Sequence, residues 1–111
     1  MRITFINPKH EILVNNHEAL GKKYNKKGED QASDIIDSIN VLAAAESLYD
    51  VPRSYHPHPL KAEYKGCFAI DVTDKHRLIF KPDHDNDPEY RIDNYKSIKS
   101  IIIIEIFKDY H

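Results

Sequence analysis

The chain has 111 residues, 41% hydrophobic and 31% charged, with three glycines, six prolines and a formal charge of −2. That length suits one compact domain over residues 1–111, and the composition excludes fibrous, disordered and disulfide-stapled classes, since Cys67 has no partner cysteine. No apolar run approaches the roughly 20 residues of a membrane span, and "MRITFINPKHE" turns polar before a signal-peptide core develops, so a cytoplasmic protein without a membrane partner is expected.

The slight negative charge gives no whole-molecule attraction for nucleic acid, which leaves that task to local clusters. "RITFI" reads as a strand. Asn7 and Pro8 then match an N-cap followed by proline in the first helical position, and Leu13, Leu20 and Tyr24 fall on one stripe of a helix running toward Gly28, with His17 at the stripe's boundary. Lys22, Lys23, Lys26 and Lys27 make a basic cluster near its end. Asp30 or a neighbour can cap a second helix, in which Ala32, Ile35, Ile36, Ile39, Leu42 and Ala43 repeat at helical spacing and which must stop before Pro52. Two amphipathic helices joined by a short connection form an antiparallel hairpin that needs another surface to cover its apolar stripes.

The strands that follow supply that surface. In "SYHPHP" the prolines hold His56 and His58 extended, and no cysteine or acid joins them at a familiar ligand spacing, so a stiff loop is a better reading than a metal site. "CFAIDV" alternates, with Phe68, Ile70 and Val72 on one face and Cys67, Ala69 and Asp71 on the other; "TDK" turns the chain into "HRLIFK", where Leu78 and Phe80 oppose Arg77, Ile79 and Lys81. After a long acidic connection over 82–97 comes "IIIIEIFKDYH", apolar enough to require an inner position in a sheet. Strict alternation would put Ile102, Ile104 and Ile106 on one face and Ile101, Ile103, Glu105, Phe107, Asp109 and His111 on the other, with Arg77 beside Asp109. The whole is an α+β pattern: a two-helix N-terminal hairpin on one face of a mainly antiparallel sheet.

One constellation stands out for chemistry: Arg77 with Asp109, Tyr110 and His111, supplemented by Lys61 and Lys65. Metal-free RNA cleavage needs a base for the 2′-hydroxyl, cations for the charge that develops on phosphate, and an acid for the leaving oxygen, and these residue types can provide all three. The plainer alternative is a solvated tail in which Asp109 pairs with a local lysine and Arg77 makes a surface ion pair.

The stretches "LAAAESLYDV", "HPLKAEYKGCFAIDVTDKHRLIF" and "IIEIFKDYH" together resemble the HigB toxins of the RelE/ParE superfamily, over about the last two thirds of the chain. The most specific elements are Leu60-Lys61, the hairpin from Val72 to Phe80, and the closing Asp-Tyr-His; where the family has glycine after Leu-Lys, this chain has Ala62. The resemblance implies a ribosome-dependent mRNA endonuclease that uses no metal or cofactor and is neutralised by a helix-turn-helix, HigA-like antitoxin. It further implies His111 as general acid or base, Asp109 and Tyr110 as its partners in proton transfer or orientation, and Arg77 and Lys61 as phosphate-stabilising cations. Lys22, Lys23, Lys26, Lys27 and Lys65 would contact ribosomal or messenger RNA. The same superfamily holds ParE-type toxins directed at gyrase and inactive relatives that only bind an antitoxin, neither of which needs the terminal triplet.

Overall fold

The computed structural model describes residues 1–110. Strands β1 (Arg2–Phe5), β2 (His58–Pro59), β3 (Phe68–Asp71), β4 (His76–Pro82) and β5 (Ser100–Asp109) form one sheet in the order β1-β5-β4-β3-β2. The isoleucine strand β5 is inner, pairing in parallel with β1 and antiparallel with β4, and the other pairings are antiparallel. Its apolar character therefore meets neighbours instead of water. The sheet and three helices, α1 (Pro8–Val14), α2 (His17–Tyr24) and α3 (Gln31–Ala44), make the expected α+β fold. No helix among the described residues is long and apolar enough to cross a membrane.

The helix expected to run from Pro8 toward Gly28 is two helices. Asn15 ends the first by donating from its side-chain amide to the Glu11 carbonyl at 2.9 Å, and Asn16 opens the second by accepting from the Ala19 N–H at 3.1 Å. Side chains of this type compete with the backbone for hydrogen bonds, which makes adjacent asparagines a natural break. His17 becomes the first residue of α2 and is exposed, not a boundary residue of the buried stripe, whereas Leu20 is fully buried. The cap of α3 is as expected: Asp30 accepts from the Ser33 N–H at 3.1 Å and from its hydroxyl at 2.7 Å. Ala32, Ile35 and Leu42 of α3 share one core with Phe68, Ile70, Leu78, Phe80, Ile101 and Ile103 of the sheet. Burying an aliphatic side chain of this size stabilises a fold by about 1.5–3 kcal/mol, so these contacts fix α3 to the sheet.

Strict alternation along β5 fails, for a local reason. Phe80 lies opposite Ile103, Ile79 opposite Glu105, and Arg77 opposite Lys108, so the register with β4 slips twice. Each slip is a β-bulge, in which one strand carries an extra residue and turns its later side chains to new directions. Ile101, Ile103 and Ile106 consequently share the buried core, and Ile102 and Ile104 are only half-buried. At the end of the strand Asp109 faces His76 while Lys108 faces Arg77, so Asp109 and Arg77 fall on opposite sides of the sheet.

The acidic connection between β4 and β5 is organised by His84. Its Nε2 accepts from the backbone N–H groups of Lys99 at 2.8 Å and Ser100 at 3.0 Å, and its Nδ1 donates to Asp87 at 3.0 Å. The ring stacks on Tyr90 with centroids 4.9 Å apart. Hydrogen bonds from the Glu89 N–H and from His84 hold the Asp87 carboxyl below its ordinary value. One imidazole thus ties the start of the connection to its end and sets where β5 begins. A His84→Ala change leaves two backbone donors without their acceptor, and urea unfolding is expected to show a loss of about 1–3 kcal/mol. Ala62 has φ 57, in the left-handed region that a Cβ disfavours. Ala62→Gly is accordingly expected to raise stability by about 1 kcal/mol in the same measurement.

Candidate active site

The hairpin of β3 and β4 places Arg77 directly across from Asp71, an arrangement that would normally give a cross-strand ion pair. It does not do so here. The Asp71 carboxylate accepts a hydrogen bond from the Tyr110 hydroxyl, and no carboxylate of the described residues lies within ion-pair distance of the Arg77 guanidinium. The guanidinium lies 5.3 Å from the centroid of the Tyr110 ring, and its buried Nε has no hydrogen-bond partner among the described residues. Tyr110 thus engages the acid and the base of one cross-strand pair at once, the carboxylate through its hydroxyl and the guanidinium through its ring. Burial first, then the Asp71 hydrogen bond and charge, push the Tyr110 phenol up to about 12, against the opposing pull of Arg77. Near neutrality the phenol is therefore a proton donor, never a base.

Asp109 is engaged elsewhere. Its carboxylate lies 3.0 Å from Nε2 of His76, whose ring is stacked on Phe107 at 3.8 Å between centroids. Phe107 in turn meets Tyr24 of α2 edge to face at 5.2 Å, so a row of aromatic rings joins the helices to the end of β5. The pairing of Asp109 with a nearby lysine is not seen; its partner is histidine. His111 lies outside the described residues.

The remaining sequence-predicted residues are dispersed. Leu60 accepts its place beside β3 by donating its N–H to the Cys67 carbonyl at 2.9 Å, and that row is four residues, roughly 13 Å, along the sheet from Asp71. Lys61 and Lys65 are exposed in the loop just beyond it, so the structure does not bring them against Arg77. Lys22 pairs with Glu18 at 3.4 Å, and Lys26 and Glu29 close a tight turn with Gly28 at φ 81. That turn lies across a cleft of about 550 Å³ from Thr73, Asp74, Lys75 and His76, which sets the lysine cluster at the same end of the sheet as Tyr110.

Three residues of this end were missed by sequence reasoning. Asp71 and His76 both read as ordinary strand residues, and only the register could have singled them out. His58 reads in the sequence as part of a stiff loop, but its pairing with Ala69, itself opposite Ile79, puts it on the Arg77 side of the sheet. Its Nδ1 donates to the His56 carbonyl at 2.8 Å, and His56 holds a left-handed backbone with φ 53. Burial pushes the Cys67 thiol up, the direction of a packing cysteine and not of a nucleophile.

No protein-family model and no curated protein matches the sequence. Solved structures do match the fold. A YoeB/ParE toxin from Agrobacterium tumefaciens aligns over 100% of both chains with a TM-score of 0.52 at 13% identity. A YoeB–YefM complex from Staphylococcus aureus aligns over 100% of this chain and 98% of its own, with a TM-score of 0.54 at 19% identity. The chain therefore has the YoeB/ParE toxin fold.

The geometry makes Tyr110 titrate last. In an ultraviolet titration of phenolate, one component is expected to appear only near pH 12 and to be missing from Tyr110→Phe. Because the folded value is raised, Tyr110's contribution to stability is whole below the ordinary tyrosine range and is lost as pH rises through that transition.

Proposed function

We propose that this protein is a toxin of a toxin–antitoxin pair, a HigB-like ribosome-dependent mRNA endonuclease that works without a metal. The observation that carries the reading is the Arg77 guanidinium, which lies across from an acid yet is left free of it, with a protonated phenol packed on its face. A cation in that state is available to a phosphate, whose two oxygens match the guanidinium fork. The shared fold with YoeB/ParE toxins supports the toxin reading, and the solved YoeB–YefM complex supports a protein partner that neutralises it. A helix-turn-helix antitoxin of the HigA type is the partner proposed.

In this scheme a base removes the proton from a messenger 2′-hydroxyl, the oxygen attacks the adjacent phosphorus, and the 5′-oxygen departs with a proton from an acid. Arg77 takes the charge that grows on the phosphate oxygens, and its removal deprives the transition state of a fixed cation. Tyr110 stacks beside the nucleotide or hands its proton to the leaving oxygen. His111, next in sequence to Tyr110, serves as the general acid or base. Lys61 and Lys65 hold flanking phosphates farther along the same sheet. Lys22, Lys23, Lys26 and Lys27 meet ribosomal RNA, which offsets the slight overall negative charge by a local patch.

Mapping 5′ ends of translated messages in bacteria expressing the protein tests this reading. Wild type is expected to give cuts in register with codons, Arg77→Ala to lower them by about 100-fold or more, and free RNA to be cut poorly. Growth arrest without codon-phased cuts, accompanied by inhibition of gyrase supercoiling by purified protein, would overturn it in favour of the ParE-type activity.

A further inference from the structure

We propose that His76 is a positioning residue of this site, acting through Asp109 to hold Tyr110 against Asp71 and Arg77, and that Asp109 transfers no proton to or from RNA. The proposal rests on the nuclease reading and adds to it a residue that has no place in the scheme above.

The hydrogen-bond directions form one chain. The Thr73 hydroxyl oxygen accepts from the backbone N–H groups of Lys75 and His76, both at 3.1 Å, which turns its own proton toward His76 Nδ1, 2.9 Å away. Nδ1 is then the acceptor nitrogen of the ring, and Nε2 carries the proton that reaches Asp109 at 3.0 Å. The His76 side chain is only 11% exposed and its ring lies nearly parallel to Phe107, with 12° between planes, so it has little freedom to leave. A second tether runs beside the first, from the Tyr110 N–H to the Lys75 carbonyl at 3.1 Å. Both tethers end on the turn between β3 and β4. They grip the end of β5 just past its second bulge, where a regular ladder is weakest.

Asp109 is unsuited to chemistry at the phosphate bound by Arg77. Its register partner is His76, and Arg77 projects to the other side of the sheet. The Asp109 side chain is also 75% exposed, and the partner its carboxylate has is His76. What its carboxylate does is accept from His76, and what that fixes is the residue that follows. Misplacing a catalytic group by about 1 Å costs roughly 100-fold in rate, which makes such a clasp worth having.

Two pairs of substitutions separate positioning from chemistry. Asp109→Asn keeps an oxygen to accept from Nε2 and loses the charge, whereas Asp109→Ala loses both. His76→Phe keeps the stack on Phe107 and removes both hydrogen bonds, and His76→Gln restores a donor for Asp109. Ribosome-dependent cleavage is expected to fall about 10- to 100-fold in kcat with KM unchanged for Asp109→Ala and His76→Phe, and to recover most of that loss in Asp109→Asn and His76→Gln. In purified protein labelled on tyrosine rings, the Tyr110 NMR signal should shift toward its solvated position in Asp109→Ala and His76→Phe, while thermal melting shows the fold retained. If Asp109→Asn is as inactive as Asp109→Ala, Asp109 carries a proton and the proposal fails. It fails equally if the Tyr110 signal in His76→Phe matches wild type. The NMR measurement needs no cleavage, so a wild type without nuclease activity would refute the nuclease reading and leave the clasp to be decided by the Tyr110 signal.

Discussion

The pairing of β4 with β5 is the constraint from which the rest of the molecule follows. It closes the sheet around an apolar strand that no edge position could accommodate, and it brings the end of that strand beside the β3–β4 turn. Had the ladder carried only the first of its two bulges, Lys108 and Tyr110 would point to the side now taken by Asp109, and Tyr110 would have no path to Asp71. Two extra residues in β5 let the first half of the strand bury Ile101 and Ile103 while the second half buries Ile106 and still presents Tyr110 to the Arg77 side. Bulges near the ends of strands commonly re-aim side chains in this way, at the cost of a few ladder hydrogen bonds.

That re-aiming solves an electrostatic problem. A positive guanidinium facing a carboxylate across a hairpin tends to be neutralised by it, and a neutralised arginine is a poor ligand for phosphate. Tyr110 removes the competitor by donating its hydroxyl to Asp71, and its ring face accepts the guanidinium in return. Arginine is suited to this placement because its charge cannot be lost and its planar group stacks well on aromatic rings. A protein with a net charge of −2 can in this way keep a cation at a defined place, clear of every carboxylate among the described residues.

The fold was legible in the sequence to the extent that local signals decide it. Asn7-Pro8 and Asp30 mark helix starts because their side chains satisfy exposed backbone donors, and those caps are where the pattern puts them. The register of Phe68 with Phe80 and of Ile70 with Leu78 follows from alternation across a tight turn. Bulges leave no mark in an apolar run, because Ile102 and Ile103 look alike in sequence whichever way they point. For the same reason the partners of Arg77 were not legible: Asp71 and His76 become distinctive only once the turn and the second bulge set them beside Tyr110 and Asp109. The break at Asn15-Asn16 was readable in principle, since paired asparagines are helix-ending residues, but the stripe of Leu13, Leu20 and Tyr24 runs across it.

Under the proposed nuclease reading, the phenol also narrows which groups can begin the reaction. A base that works near neutrality needs an ordinary pKa within reach of the medium, and a phenol pushed up to about 12 does not meet that condition. Tyr110 is therefore confined to donating or stacking. Asp109 faces away from the phosphate expected at Arg77, and its carboxylate is already held by His76. Among the described residues, what is left on the Arg77 side is a carboxylate, Asp71, occupied on one oxygen by the phenol, together with the imidazole of His58; the other imidazole of the proposed scheme, His111, lies outside the described residues. Imidazole ordinarily titrates near 6.5 and can take a proton in one step and return it in the next, which a carboxylate does less readily near neutrality. A mechanism with histidine as the proton carrier, arginine as the charge acceptor and tyrosine as a locked donor is the assignment this set of residues favours.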